Sequence, residues 1–236
     1  MSKDAFAAAA LALTAAAENG SNMCLSFLNA LPVTHAAIST LGAPFGSETI
    51  CASDSQAARL EELQIDFGAG PCWDALRTRA PVVDADLSEP TESAWSLLRE
   101  AIRDTGILSL YSFPLAIGEL NVGALDLYAT TRAALNLPLI ARASALADLA
   151  ATPVARQVIR RLPHLDTDDT NPATYSRREV HQATGMIIAQ MRVNADDAQA
   201  LLRAHAFTLG RPVREVAADV VARRIKFTRD DVVDRD

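Results

Sequence analysis

The run Leu162-Pro-His-Leu-Asp-Thr-Asp-Asp-Thr-Asn-Pro172 constrains the chain most, because a polar, Asp-rich stretch bounded by prolines does not enter a packed core. It reads as a linker over 162–174 and splits a chain of 236 residues into two parts, each long enough to bury a core of its own. Charge divides at the same place. Residues 1–173 hold 11 Lys/Arg against 20 Asp/Glu, net −9, whereas residues 174–229 hold 10 against 5, net +5, ahead of an acidic tail over 230–236. The overall charge of −7 argues against a nucleic-acid binder, but the split confines any contact with an anionic polymer or surface to the second part. With 50% hydrophobic and 22% charged residues the composition is that of an ordered protein, which excludes long disorder.

Three cysteines, Cys24, Cys51 and Cys72, none in C-x-x-C spacing, support neither a disulfide framework nor a cysteine-rich zinc site and fit a reducing cytoplasm. The Ala-rich run Ala5–Ala17 has one cation, Lys3, offset by Asp4, so it reads as a packing helix with Phe6 and Leu13 inward rather than as a secretory signal. No run reaches the ~20 apolar residues of a bilayer span, and no membrane contact is expected.

Beyond the first helix (1–20) the period changes. His35–Thr40 and Glu48–Ser53 read as a hairpin around Leu41-Gly-Ala-Pro-Phe-Gly46. A helix is expected over Asp54–Gln64, with Ala57, Leu60 and Gln64 on one face, and a helical turn over Cys72–Arg77 after Gly68-Ala-Gly-Pro71. Pro81–Asp84 is a short strand, Ser93–Asp104 a helix ended by Gly106, and Ile107–Phe113 and Leu120–Tyr128 are strands around Gly118-Glu119. Connections this short predict an α+β domain over 21–132 built on an antiparallel sheet. Connecting helices follow over 133–161, with a kink or restart expected at Pro153.

The second module, 175–229, predicts a small all-α bundle of three helices. Ser176-Arg-Arg-Glu179 has capping-box spacing ahead of the stripe Val180, Ala183, Ile187 and Met191. Asn194 caps a second helix with Ala198, Leu201, Leu202, His205, Ala206 and Leu209 inward, stopped by Gly210, and Pro212 opens a third with Val213, Val216, Ala217, Val220, Val221 and Ile225 inward. Arg177, Arg178, Arg214, Arg223, Arg224 and Lys226 lie on polar faces or helix ends, where they either neutralise phosphates or form an ordinary solvated face. Gly185 in mid-helix costs about 1 kcal/mol against alanine, which points to close approach by a binding partner or by another helix.

No enzyme is expected. His35, His164, His181 and His205 are scattered, no metalloprotease, phosphate-loop or hydrolase motif occurs, and Glu61 and Glu62 point apart on their helix. Asp126, between Leu125 and Leu127 in an expected central strand, must be paired or face a polar cavity.

The segment Glu179-Val-His-Gln-Ala-Thr-Gly-Met-Ile-Ile188, with Asn194-Ala-Asp-Asp-Ala198 and Arg214-Glu-Val-Ala217, resembles an ANTAR domain, the RNA-binding module of bacterial transcription antiterminators. The first domain resembles a GAF domain of the kind fused to ANTAR in actinobacteria, through Ala52-Ser-Asp54, Leu63-Gln64, Gly70-Pro-Cys72, Asp74-Ala75, Pro114-Leu115 and Gly123-Ala-Leu-Asp-Leu-Tyr-Ala129. The resemblance implies a homodimer that senses a signal through GAF and binds tandem RNA stem-loops through ANTAR, preventing transcription termination close to RNA polymerase on the nascent transcript. It places the RNA contact at Gln182, Ala183, Thr184 and Gly185 together with the basic residues. Thr184 stands where many family members carry lysine, so one phosphate contact is either missing or supplied by Arg177, Arg178 or Arg192.

In the GAF half the resemblance implies a small-molecule pocket between sheet and helices, with His35, Cys51, Cys72, Trp73, Trp95 and Asp126 as its candidate walls. The ordinary reading of both tryptophans and both cysteines is core packing. No cofactor or metal is identified, and the ligand is unknown. The Ala-rich helices Asp4–Ala17 and Ala133–Leu149 are expected to pack together and against a second subunit. Two alternatives stay open: a ligand-sensing adaptor whose helical module binds a protein, and a DNA-binding repressor, the latter disfavoured by Glu215 and Asp219 on the third helix.

Overall fold

The computed structural model describes residues 3–89, 95–161 and 177–228, so the linker, His164, Tyr175, Ser176 and the acidic tail lie outside the described residues. The chain divides into two units, Met1–Tyr175 and Ser176–Asp236.

The first unit is built on one antiparallel sheet of β1 (His35–Thr40), β2 (Glu48–Ala52), β3 (Val82–Asp84), β4 (Ser109–Ile117) and β5 (Leu120–Ala129), in the order β2-β1-β5-β4-β3. Hairpins join β1 to β2 and β4 to β5, while β5 crosses back to pair with β1, His35 opposite Tyr128 and Thr40 opposite Gly123. That pairing is tight at Gly123. A Cβ there would lie 1.9 Å from the Ser39 carbonyl oxygen, so only glycine lets the two central strands approach.

Alternation along the central strands separates two helical layers. Ala36, Ile38, Tyr111, Phe113, Leu125 and Leu127 face α1 (Lys3–Asn19), α2 (Cys24–Ala30) and α6 (Leu137–Arg161) in the main core. The other face meets α3 (Ser55–Phe67), α4 (Pro71–Thr78) and α5 (Ser96–Ile102), the last followed by a single 3-10 turn ending at Gly106. Asp54 caps α3 by accepting from the Gln56 and Ala57 amides at 2.9 and 3.0 Å, and Gly68 ends it in the left-handed conformation.

Three expectations are corrected. The seven-residue α2 is absent from the sequence reading because it has no side-chain cap and is too short to display a period. The helix α6 runs on through Pro153, so it does not restart there; Val154, Ala155 and Val158 beyond the proline are buried in the main core. An 18-residue window of the 24-residue stretch Leu137–Arg160 reaches mean hydropathy 1.2, enough by length and composition alone to cross a bilayer, although Ala143, Leu146, Ala150 and Val154 are buried in the core.

The second unit holds α7 (Arg178–Met191), α8 (Ala195–Leu209) and α9 (Val213–Val221) around one core of Val180, Ala183, Ile187, Leu202, Val216 and Val220. Asn194 caps α8 through the Asp197 amide at 2.8 Å and Gly210 closes it at φ +60°. The expected capping box involves Ser176, which lies outside the described residues. Arg177 occupies the N-cap position of α7 and provides no side-chain cap. Leu209, expected inward, is 45% exposed at the end of α8.

Candidate functional site

In the second unit, burial of Val180, Ala183, Ile187 and Met191 fixes the rotational phase of α7. The opposite face exposes Arg178, His181, Gln182, Gly185 and Ala189, and Arg192 stands exposed just past the helix at φ +58°. At 1.5 Å per residue the two arginines bracket about 21 Å of helix. A Cβ on Gly185 would meet nothing within 4 Å, so no neighbouring helix of the unit requires that glycine. The result is a smooth, small-residue stretch between two cations. Desolvation by neighbouring groups, then the Arg177 guanidinium, holds the His181 imidazole below its ordinary pKa.

Several expected contact residues face elsewhere. Arg177 is buried at 5% exposure rather than lying on a polar face. Ala183 belongs to the core, and Thr184 is buried with its hydroxyl donating to the Val180 carbonyl at 2.7 Å. Arg224 is committed to Asp219, donating through Nε and Nη2 at 2.7 and 2.6 Å, while Arg211 holds the other carboxylate oxygen at 2.8 Å. Those hydrogen bonds, from Arg211 and then Arg224, keep the Asp219 carboxyl below its usual range. Arg214 is half-buried, whereas Arg223 and Lys226 are exposed. Sequence reasoning missed Ala189, whose only signal is its four-residue spacing from Gly185.

In the first unit the helix-facing side of the sheet carries a buried polar cluster. Strand β5 presents Asp126, its register partner Ser112 lies on β4, Ser39 on β1, and α3 lays Glu61 and Gln64 over them. Glu61 accepts from Ser39 Oγ at 2.6 Å and from Tyr128 Oη at 2.7 Å. Asp126 accepts from Gln64 Nε2 at 2.5 Å and from the Ser112 hydroxyl. Gln64 Oε1 in turn accepts from the Cys72 amide at 3.1 Å. Burial, then the Asp126 charge, pushes the Glu61 carboxyl well above its usual range, and burial raises Asp126 as well. Glu61 and Glu62 point apart, Glu61 buried and Glu62 partly exposed, and the carboxyl group near Glu61 is that of Asp126 on β5.

The open space of this unit lies outside that cluster. A cleft of ≈ 420 Å³ is lined by Gly68, Gly70, Trp73, Asp74, Trp95 and Asn121, among others. Both indole N–H groups are spent internally, Trp73 on the Gln64 carbonyl and Trp95 on Asp74 Oδ2, each at 2.9 Å. Asp74 Oδ1 accepts from Arg77 at 2.7 Å. The backbone of Gly70, at φ +146°, admits no side chain here because a Cβ would fall 2.4 Å from Gln64 Oε1.

Of the six expected pocket residues only Trp73 and Trp95 line the cleft. Asp126 and Cys72 are fully buried, the thiol pushed up by burial and by the charges of Asp126 and Glu61. His35 is held by Asp54 at 2.8 Å at the start of β1. Cys51 faces the opposite helical layer and is disulfide-bonded to Cys24, which corrects the expectation of unpaired cysteines. The two are 27 residues apart, and spacing alone carries no signal of that proximity. Among the described residues no group of three or more His, Cys, Asp or Glu side chains is placed to hold a metal ion.

The GAF domain family matches residues 10–153 and the ANTAR domain family residues 169–221. No curated protein matches the chain. Among solved structures, the GAF domain of a phosphoenolpyruvate-protein phosphotransferase from Coxiella burnetii is similar at 14% identity and TM-score 0.51, covering 66% of this chain and 96% of that one. A GAF domain region of a membrane protein from Geobacter sulfurreducens aligns at 15% identity and TM-score 0.47, covering 61% and 96%. The Coxiella likeness agrees with the GAF fold of the first unit, and the sensor and RNA-binding roles of the two domains make the chain a sensor-regulated RNA-binding regulator. The chain belongs to the GAF-ANTAR regulators, with the GAF domain preceding the ANTAR domain.

Proposed function

We propose that this regulator binds tandem stem-loops in nascent mRNA and prevents a terminator hairpin from forming, under the control of a signal received by the GAF domain. The observation that carries the reading is the outward face of α7, where Arg178 and Arg192 bracket Gln182, Gly185 and Ala189 with nothing over the glycine. Cations at both ends bind phosphates, and the small residues between them let a backbone come close to the helix, which suits a stem-loop read by shape and 2′-hydroxyl contacts. Duplex DNA fits less well, since α9 offers a half-buried Arg214 beside Glu215 and Asp219 as its groove surface.

A two-loop RNA calls for two ANTAR copies, and the exposed Leu11 of α1 with Leu149 and Ile159 of α6 supports homodimerisation through these helices. The setting is the cytoplasm, next to RNA polymerase on the transcript it is making. A small molecule at the Trp73–Trp95 cleft would be the input, with no cofactor or metal required.

The test is an electrophoretic shift of the full chain on RNAs with one stem-loop, two tandem stem-loops, and the two-loop sequence as duplex DNA. Tandem RNA is expected to bind at least tenfold tighter than single-loop RNA or DNA. Equal binding to DNA overturns the reading in favour of a repressor. Absence of any shift, after selection from random hairpins, favours a protein-binding adaptor, for which Phe207, 67% exposed on α8, is the natural contact.

A further inference from the structure

We propose that Cys24–Cys51 is a reversible thiol–disulfide exchange site whose substrate is a dithiol reductant, and that its reduction loosens the layer formed by α1 and α2. The inference does not depend on the RNA reading.

Access favours one sulfur. Cys51 lies on β2, an edge strand of the sheet, and the residue retains 8% exposure, whereas Cys24, the first residue of α2, is completely buried. A reductant thiolate attacks Cys51 Sγ, the Sγ–Sγ bond breaks, and Cys24 leaves as a thiolate that takes up a proton. The second thiol of the reductant then displaces Cys51, which takes up the second proton. Two electrons and two protons have passed to the protein, and the reductant ends as its own disulfide. Cys72 takes no part, because it is buried on the other side of the sheet.

The surroundings convert this chemistry into a change of packing. Bonded sulfurs sit closer than van der Waals contact permits two thiols to sit, so reduction forces Cys24 and Cys51 apart in a region where Met23, Phe27 and Leu13 are at most 2% exposed. Helix α2 has only seven residues and no side-chain cap; one hydrogen bond, Asn22 Nδ2 to the Ala52 carbonyl at 2.7 Å, ties its start to β2 besides the disulfide. The core that α1 and α6 share includes many alanines, Ala9, Ala16, Ala143, Ala147 and Ala150 among them, whose small apolar areas each contribute little. Opening a cross-link across 27 residues releases chain entropy equivalent to a several-hundred-fold change in the folding equilibrium. That change falls on the layer whose last helix, α6, leads in sequence to the ANTAR domain.

The experiment equilibrates the full chain in dithiothreitol redox buffers and reads alkylatable thiols after denaturation together with amide hydrogen exchange by segment. One thiol is expected on the oxidised side and three on the reduced side, with exchange over residues 3–30 at least tenfold faster when reduced and exchange over 177–228 unchanged. The Cys24→Ser/Cys51→Ser protein should exchange at the reduced rate in both buffers, with Cys24→Ala/Cys51→Ala as the apolar substitute if the serines prevent folding. Cys72→Ser should switch as the parent does. Three thiols across the whole buffer range, or unchanged exchange over residues 3–30 once three thiols are counted, overturns the proposal.

Discussion

Glu61 and Asp126 lie in one hydrogen-bond network inside the GAF domain as two fully buried carboxyl groups, one from α3 and one from β5, linked through Tyr128 and Gln64. Their hydrogen-bond partners, Ser39, Tyr128, Gln64 and Ser112, are neutral side chains. Two carboxylates so placed cannot both be charged without a large desolvation cost, so the pair retains a proton.

Stability should therefore fall as pH rises. The folded pKa of Glu61 lies above its unfolded value, so the stabilisation is fully present below the unfolded pKa near 4.5 and is lost as pH climbs through the raised folded pKa. Above the unfolded value the unfolded chain binds fewer protons than the native one, which sets the sign. Urea midpoints for the wild type should decline on the alkaline side, and Glu61→Gln should flatten that decline. A Glu61→Gln profile parallel to the wild type would contradict the assignment.

Gly185→Ala should stabilise the ANTAR domain and weaken its RNA binding at once. The new methyl enters open space, and alanine is better than glycine in mid-helix by about 1 kcal/mol. The same methyl stands where the RNA backbone would approach, and an affinity loss of about tenfold or more is expected. Thermal unfolding and gel shifts on one preparation read both effects, and a stabilised variant with unchanged affinity would remove Gly185 from the interface.

Loss of the positive charge should separate two arginines that look alike in sequence. Arg192→Glu removes an exposed cation at the end of the α7 face, and the slope of log affinity against log salt should become shallower by about one. Arg224→Ala removes a donor already committed to Asp219, so the salt slope should stay the same and stability should change by less than about 1 kcal/mol, as for other exposed ion pairs. Equal slopes for the two variants would refute the distinction.

Gly70→Ala should damage the cleft and the buried cluster together. Its φ of +146° is strained for any L side chain, and the added Cβ strikes Gln64, which links Asp126, Tyr128, the Cys72 amide and, through its carbonyl, Trp73. A loss of at least about 2 kcal/mol is expected from backbone strain and broken buried hydrogen bonds. A denaturation midpoint within error of the wild type would contradict it.

Much of the fold was legible because its periods are clean. Strand β1 matches its expected span, β2 and β5 differ by one residue, and the α7 stripe of Val180, Ala183, Ile187 and Met191 is buried as its spacing predicts. The sites were less legible, because they depend on neighbours far apart in the chain. Asp126 was recognisable as a carboxylate needing a partner, but that partner, Glu61, shares a helix face with Ala57 and Gln64 and the signal lay in that phase rather than in the pair Glu61-Glu62. Arg177 and Arg224 carry the composition of phosphate ligands, yet the start of α7 turns one inward and Asp219 engages the other. Cys24 and Cys51 join across the α2–β2 contact, and α2 itself gave no periodic trace.

The chain has two tryptophans, Trp73 and Trp95, and both line the same cleft of the GAF domain. Indole emission excited at the red edge of its absorption band therefore reports on that cleft alone, while the ANTAR helices contribute no signal. Quenching by a small molecule would identify an occupant of the cleft without a label. A change in emission on adding RNA would mean that a binding event in the second domain is felt in the first, giving a direct optical measure of communication between sensor and output.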